Sequence, residues 1–277
     1  MKSGAVAGRK RKSEKEAKHA TADQMSSAHT PKRQRQEKAV ENTPPTSSED
    51  RSNGSDKSLK ARVDNVLSKY GEPPLKGLVH EKLPASQFVL AHILNALLSS
   101  TRISHTLAAK TLSCLVDENY HDIHVLHKTS WQERTEVLTA GGFTHYREKT
   151  ATYLGDLAEL IKTKYDDDAS ELLPYPSKQP EAEMNKEGSV TLLKTRLEEI
   201  KGLGPMGIDI FLGSIQGFFA YVAPFLDSRS RETANAIGLG DEVDGLYAAV
   251  DGDASRMAEL QVALTTIRLE KLENEFA

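Results

Sequence analysis

One short stretch constrains the fold of this chain most strongly, because two glycines and a proline interrupt an apolar helical pattern there. The stretch spans residues 197–212 and carries Gly202, Gly204 and Pro205 at its centre. Gly202 can adopt a positive φ and end one helix, and Pro205 suits the first turn of the next. The sequence therefore predicts two helices joined by a tight hairpin. The bare N–H groups at the start of the second helix, reached through glycines, can hold a phosphate.

Helical periodicity dominates the chain from Leu59 onward, and no period-two pattern persists. We therefore predict an all-α fold. Ser130 and Glu133 form a predicted capping box at one helix start, and we place the neighbouring Trp131 in the core. The polar, proline-containing stretch 166–188 is predicted to be a surface loop. The predicted helices span residues 59–70, 84–98, 103–115, 121–126, 131–140, 146–165, 190–200, 206–221, 228–237, 241–250 and 254–276.

Cysteine content and hydropathy exclude several classes of protein. Cys114 is the single cysteine, so an internal disulfide and a four-cysteine zinc or iron–sulfur site within this chain are excluded. The sequence contains no run of about 18 apolar residues, which predicts that the chain does not enter a membrane. The N-terminus lacks the apolar core of a secretory signal. We expect no resident metal.

Charge divides the chain into two parts. Residues 1–60 contain 14 Lys/Arg and 8 Asp/Glu, a net charge of +6, whereas residues 61–277 have a net charge of -10. Residues 1–57 have almost no large apolar side chains, so we predict a disordered basic tail. Its clusters at 9–12 and 31–35 suit a nuclear import signal or a DNA-tethering arm, against the alternative of a merely solvated tail. The acidic remainder counts against DNA binding through bulk charge.

Three stretches, followed by an aspartate, resemble a known family. They are Leu97-Leu98-Ser99-Ser100-Thr101-Arg102, the run from Gly141 to Lys149, and Ile200-Lys201-Gly202-Leu203-Gly204, with Asp227 downstream. Together and in this order they resemble the helix-hairpin-helix (HhH-GPD) DNA glycosylases of the endonuclease III superfamily. The resemblance covers residues 58–277. It implies a six-helix barrel lobe over 83–221 and a second helical lobe from 58–82 plus 223–277, with double-stranded DNA in the groove between them.

The same resemblance implies roles for individual residues. Asp227 would stabilise the positive charge that develops on the sugar as the glycosidic bond breaks. The hairpin would hold a backbone phosphate, directly or through a monovalent cation. Thr101 or Arg102 would fill the space left in the base stack when the damaged base is flipped out. The hairpin residues concerned are Gly202, Leu203, Gly204, Met206 and Gly207.

Simpler interpretations of these residues stay open. Asp227 precedes a predicted helix and can act as a plain N-cap. The hairpin can be an ordinary helix–helix turn. Arg229 is a candidate phosphate contact, although a solvated charge on a helix surface is the more common case.

The chain departs from the family pattern in three places. The members that also cleave the DNA strand place a lysine nucleophile at the position of Met206, and methionine cannot form a Schiff base. The iron–sulfur cluster of endonuclease III relatives has no ligands here. Thr101 stands where many relatives carry glutamine.

The methionine at position 206 favours a monofunctional enzyme. The first hypothesis is a nuclear, monomeric, monofunctional DNA N-glycosylase of base excision repair, without a cofactor. A second is a catalytically inactive module of the same fold that recognises distorted DNA. A third is a helical protein-interaction scaffold whose DNA affinity lies only in the tail.

Overall fold

The computed structural model of the protein describes residues 48–79, 82–175 and 186–276, with side chains described except at 48–56 and 186. Within these residues the chain forms α-helices and short 3-10 turns and no strand, which confirms the all-α prediction for this part of the chain. The helices are α1 (Ser48–Tyr70), α2 (Ala85–Ser99), α3 (His105–Asp117), α4 (Ile123–Leu126), α5 (Trp131–Ala140), α6 (Arg147–Tyr165), α7 (Lys186–Glu198), α8 (Pro205–Ile215), α9 (Ser228–Ala236), α10 (Val243–Ala249) and α11 (Ala254–Glu270).

Four helix boundaries differ from the sequence-based prediction by four residues or more, and one of them is the end of α11, at Glu270 instead of residue 276. The first helix begins at Ser48, so residues 48–57 of the predicted disordered tail are helical, while residues 1–47 with both basic clusters lie outside the described residues. Helix α7 begins at Lys186, inside the predicted surface loop. Helix α8 ends at Ile215 instead of Tyr221, and a 3-10 turn follows at Ala220–Val222.

Local capping chemistry sets several helix starts. Ser130 accepts a hydrogen bond from the backbone N–H of Glu133, and the Glu133 carboxylate accepts from the Ser130 N–H, so the predicted capping box is confirmed. Asp227 and Asp253 are the N-caps of α9 and α11: Asp227 accepts from the Ser230 N–H, and Asp253 accepts from the N–H groups of Ser255 and Arg256.

Trp131 corrects one prediction. Its side chain is 46% exposed, so its placement in the core is wrong. Helix α5 buries Leu138, whereas the Trp131 ring lies over α6 and its Nε1 donates to Thr152 Oγ1 at 3.1 Å. The indole therefore covers the helix pair from outside, with its polar edge satisfied.

Two separate clusters of buried apolar side chains stabilise the described residues. The first is built from α2 to α8, and the second from α1 and α9 to α11. Each fully buried Leu, Ile or Phe in them contributes about 1.5–3 kcal/mol relative to an exposed position. The chain therefore has two hydrophobic cores.

Helix α8 packs closely against α11 because glycines face α11. A Cβ atom at Gly213 would lie 2.9 Å from Gln261 Cγ, and one at Gly217 would lie 3.1 Å from Ser255 Cα. Since α8 belongs to the first cluster and α11 to the second, this contact joins the two cores. It also brings Gln261 beside the segment that carries Asp227.

Candidate functional site

The turn between α7 and α8 depends on Gly202. This residue has a φ of +88°, and a Cβ atom there would lie 2.3 Å from Tyr153 Cδ2. Any larger residue would be strained in its backbone and would also collide with the ring of Tyr153. The chain closes the turn with a hydrogen bond from Leu203 N–H to Ile200 O at 3.1 Å, and Leu203 is buried.

The outer side of this turn is open. Gly204 is the N-cap of α8 with extended backbone angles, no side chain caps the helix, and a Cβ atom at Gly204 would have no neighbour within 4 Å. Pro205 and Met206 are also exposed, Met206 by 43%. The first N–H groups of α8 therefore face accessible space, the arrangement that favours an anion at a helix N-terminus.

Basic side chains flank the turn. Lys149 Nζ lies 5.5 Å from the centre of the Tyr153 ring that packs against Gly202. Lys201 is 67% exposed in its side chain and pairs with Asp156 at 3.2 Å. The turn thus has positive charges nearby although residues 61–277 are acidic as a whole.

The loop after α2 lies next to the start of α8. A Cβ atom at Gly207 would lie 3.2 Å from Ser100 Oγ, so the structure brings this loop and the turn together. Thr101 is half-buried, and its Oγ1 donates to Leu98 O at 2.7 Å. Arg102 is exposed and forms no hydrogen bond or ion pair with the described part of the chain.

Asp227 is half-buried and accepts three hydrogen bonds. Oδ1 accepts from the Ser230 backbone N–H at 3.0 Å, which makes Asp227 the N-cap of α9. Oδ2 accepts from Ser230 Oγ at 2.9 Å and from Gln261 Nε2. Because hydrogen bonds to a carboxylate are charge-assisted, these donors fix its orientation strongly.

Gln216 holds the segment that precedes Asp227. It follows the last residue of α8 and is fully buried. Its Oε1 accepts from the Phe225 N–H and its Nε2 donates to Phe225 O, both at 3.0 Å. The end of α8 therefore positions the backbone two residues before the candidate carboxylate.

Asp209, on α8, is a second carboxyl group, and its pKa depends in part on the charge of Asp227. Burial raises its pKa, Lys194 opposes that rise, and the negative charge of Asp227 raises it further. A single aspartate inside an apolar helix gives little indication in the sequence that its pKa is raised. The sequence analysis therefore did not include Asp209 among the candidate residues.

The remaining candidates stay apart from this group. Arg229 is exposed, and no hydrogen bond or ion pair joins it or Arg102 to the other candidate residues within the described ranges. The structure thus associates the turn with Ser100, and Asp227 with α8 through Gln216 and Gln261.

No group of three or more His, Cys, Asp or Glu side chains in the described ranges is arranged to hold a metal ion. No described helix is both long and apolar enough to cross a membrane. The prediction that the protein uses no cofactor remains a prediction.

Comparison of this chain with protein-family models, with curated proteins and with solved structures finds no match.

Proposed function

We propose that the protein is a monofunctional DNA N-glycosylase that releases a damaged or mismatched base from double-stranded DNA. The observation that carries the proposal is the placement of Asp227, which is fixed by Ser230 and Gln261 close to α8. Helix α8 also presents its uncapped N-terminus at Gly204. Helix α8 thus has an open N-terminus, where a phosphate can bind, and it packs against Gln261, which orients the Asp227 carboxylate. An enzyme that acts on DNA needs both a phosphate contact and an oriented carboxylate.

The proposed reaction is hydrolysis of the N-glycosidic bond of a flipped nucleotide. As the bond between base and sugar breaks, positive charge develops on the sugar, and the Asp227 carboxylate stabilises it. The base takes the electron pair of the broken bond, a water oxygen bonds to the sugar carbon, and the proton that this water loses is balanced by the proton that the base gains. The products are a free base and an intact strand with an abasic site.

Met206 supports the monofunctional character. Its thioether carries no amine, so it cannot attack the sugar to form the covalent imine that precedes strand cleavage. The exposed position of Met206 at the open end of α8 suits a contact with the DNA backbone. In this proposal Gly202, Gly204 and Gly207 shape the turn, and the N–H groups of α8 hold a phosphate.

The two hydrophobic cores support a two-lobed arrangement. The first core uses residues from 89 to 222, and the second uses residues 63, 66 and 226 to 267. These limits are similar to those of the proposed barrel lobe over 83–221 and second lobe from 58–82 plus 223–277, except that Leu75, Leu78 and Phe225 pack against the first core. We propose that DNA binds in a groove between the lobes.

Duplex oligonucleotides that each carry one damaged or mismatched base test the activity. After incubation, half of each sample is treated with alkali, which cleaves the strand at an abasic site. We expect at least one substrate to be cleaved only after alkali. Strand breaks without alkali would contradict the monofunctional mechanism, and no cleavage of any substrate would contradict the enzyme.

The alternative is an inactive module that recognises distorted DNA. Two features motivate it, namely the net charge of -10 over residues 61–277 and the methionine at position 206. In this case Asp227 acts as an N-cap and has no chemical role. The module would bind abasic or mismatched duplexes in a salt-sensitive manner and release no base from any of them.

A further inference from the structure

Gln261 is the buried residue that links Asp227 to the rest of the structure. It is 7% exposed and lies on α11, far from Asp227 in sequence. Its Nε2 donates to Asp227 Oδ2 and, at 2.9 Å, to Ser230 Oγ. Since Ser230 Oγ in turn donates to Asp227 Oδ2, the three side chains form a closed ring of hydrogen bonds.

The orientation of the Gln261 amide follows from its partners. The carboxylate of Asp227 can only accept, so the nitrogen of the amide must face it. The Gln261 oxygen is then turned away and has no hydrogen-bond partner among the described residues. A buried oxygen without a partner is costly, and such costs are often found at functional sites.

Gly213 makes room for this amide. A Cβ atom at Gly213 would lie 2.9 Å from Gln261 Cγ and 3.1 Å from Gln261 Cδ. The glutamine side chain therefore occupies the space that a larger residue on α8 would fill. Because Gln261 also donates a hydrogen bond to Asp227, the position of α8 affects the position of the Asp227 carboxylate.

Capping of α9 does not require the hydrogen bonds that Ser230 Oγ and Gln261 Nε2 donate to Asp227 Oδ2. The Ser230 N–H alone satisfies the capping role, as the corresponding N–H groups do for Asp253 at α11. The second oxygen of Asp227 is instead held by side chains from two different helices. The additional donors therefore serve the orientation of the carboxylate.

We infer that Gln261 is a positioning residue that holds the Asp227 carboxylate in the orientation required for catalysis. The inference rests on the proposed glycosylase function. Gln261 acts only through Asp227 and does not contact the sugar. Its loss therefore slows the chemical step and leaves DNA binding in place, because a small displacement of a catalytic group strongly lowers the rate.

The test uses Gln261→Met, which keeps the size of the side chain and removes both N–H donors. The single-turnover rate of base release is measured on a duplex that the wild-type protein cleaves, and the dissociation constant is measured on a duplex with a tetrahydrofuran abasic analogue. We expect the rate to fall by about 10- to 100-fold. The dissociation constant should change by less than about twofold.

Two further variants separate positioning from stability. Gly213→Ala adds one methyl group that displaces the Gln261 side chain without removing any polar group. It should therefore reproduce the loss of rate. Ile267→Ala removes buried apolar atoms from the same helix α11. It should lower the melting temperature and keep the wild-type rate below that temperature.

Each result has a distinct meaning. A wild-type rate in folded Gln261→Met or Gly213→Ala would overturn the inference and leave the glycosylase proposal standing. A rate loss that Ile267→Ala reproduces at an equal loss of stability would also overturn it. If the wild-type protein releases no base from any duplex, the proposed function fails, and the positioning role fails with it.

Discussion

The Asp227 side chain combines a structural and a proposed chemical role, and the two can be separated by replacing a single oxygen atom. Its Oδ1 caps α9, whereas its Oδ2 is held by Ser230 and Gln261. Asparagine is nearly as good an N-cap as aspartate but carries no charge. The N-cap role and the catalytic role therefore respond differently to Asp227→Asn.

We expect Asp227→Asn to lower the rate of base release by at least about 100-fold, the magnitude typical for loss of transition-state charge stabilisation. Its free energy of unfolding should fall by only about 1 kcal/mol. Rates on the cleavable duplex and thermal denaturation measure the two effects.

Asp253→Asn is the matched control, since Asp253 caps α11 and lies at no proposed site. It should lose similar stability and no activity. A wild-type rate in Asp227→Asn would show that the carboxylate is only a cap.

His92 is a fully buried histidine whose environment excludes its charged form. Burial lowers its pKa from 6.5 to about 3. Its Nδ1 lies 2.9 Å from Ser214 Oγ, which itself donates to Phe211 O, so the imidazole Nδ1–H is the donor. The other ring nitrogen, Nε2, is buried without a partner in the described residues.

This histidine makes the free energy of unfolding sensitive to acid. The unfolded chain binds a proton below pH 6.5 that the folded protein excludes, so the stability is fully present above pH 6.5 and decreases as the pH falls toward 3. Between pH 7 and pH 5 the expected loss is about 2 kcal/mol. Urea denaturation at both pH values measures it.

His92→Leu should remove this part of the pH dependence. The exposed His124 provides the control, and His124→Gln should keep the wild-type response. An equal loss between pH 7 and pH 5 in wild type and His92→Leu would show that other groups cause the acid sensitivity.

The turn between α7 and α8 owes its shape to one glycine and its accessibility to another. Gly202 fits beneath Tyr153 and permits the positive φ, whereas Gly204 lies in extended backbone with open space around it. A substitution at Gly204 can therefore test phosphate binding without straining the fold.

We expect Gly204→Asp to weaken DNA binding and to leave the fold intact. Aspartate is a favourable N-cap, so the melting temperature should stay constant or rise slightly. Its charge at the open end of α8 should repel a phosphate and raise the dissociation constant by about tenfold or more. Fluorescence anisotropy with labelled duplex measures the change.

Gly204→Asn isolates the charge, because asparagine caps a helix equally well without it. This variant should bind DNA more tightly than Gly204→Asp. Equal, wild-type affinity in both variants would show that the turn is an ordinary helix connection.

For the molecule as a whole, the distribution of charge along the chain determines which regions can bind DNA under the proposed function. Residues 61–277 carry a net charge of -10, so under the proposed function the attraction to DNA comes from basic groups at the turn and in residues 1–47. If both contribute, removal of either should weaken binding without abolishing it.

Deletion of residues 1–47 should leave the melting temperature unchanged, since the buried apolar side chains of both cores in the described part of the chain lie within residues 63–267. Affinity for duplex DNA should decrease, and the logarithm of the binding constant should depend less steeply on the logarithm of salt concentration. Titrations at several salt concentrations measure this. Complete loss of binding, together with wild-type affinity in Gly204→Asp, would instead support the scaffold hypothesis.

Much of the secondary structure follows from local signals along the chain. Apolar residues at helical spacing, the capping box at Ser130 and the breakers Gly202 and Pro205 act within a few residues, so the sequence predicts most helices and the turn before α8. Charge asymmetry is likewise a property of composition. The predicted end of α8 at Tyr221 is wrong: residues 218–221 are apolar and continue the helical pattern, whereas the helix ends at Ile215, just before Gly217 packs on Ser255.

Contacts between distant residues depend on packing and carry no local signal. The sequence identifies Asp227 as a helix cap, but its link to Gln261 exists only because Gly213 allows α8 and α11 to approach. The exposure of Trp131 has the same origin. Local chemistry therefore specifies the helices and their ends, whereas the packing of helices against one another creates the surroundings of the Asp227 carboxylate.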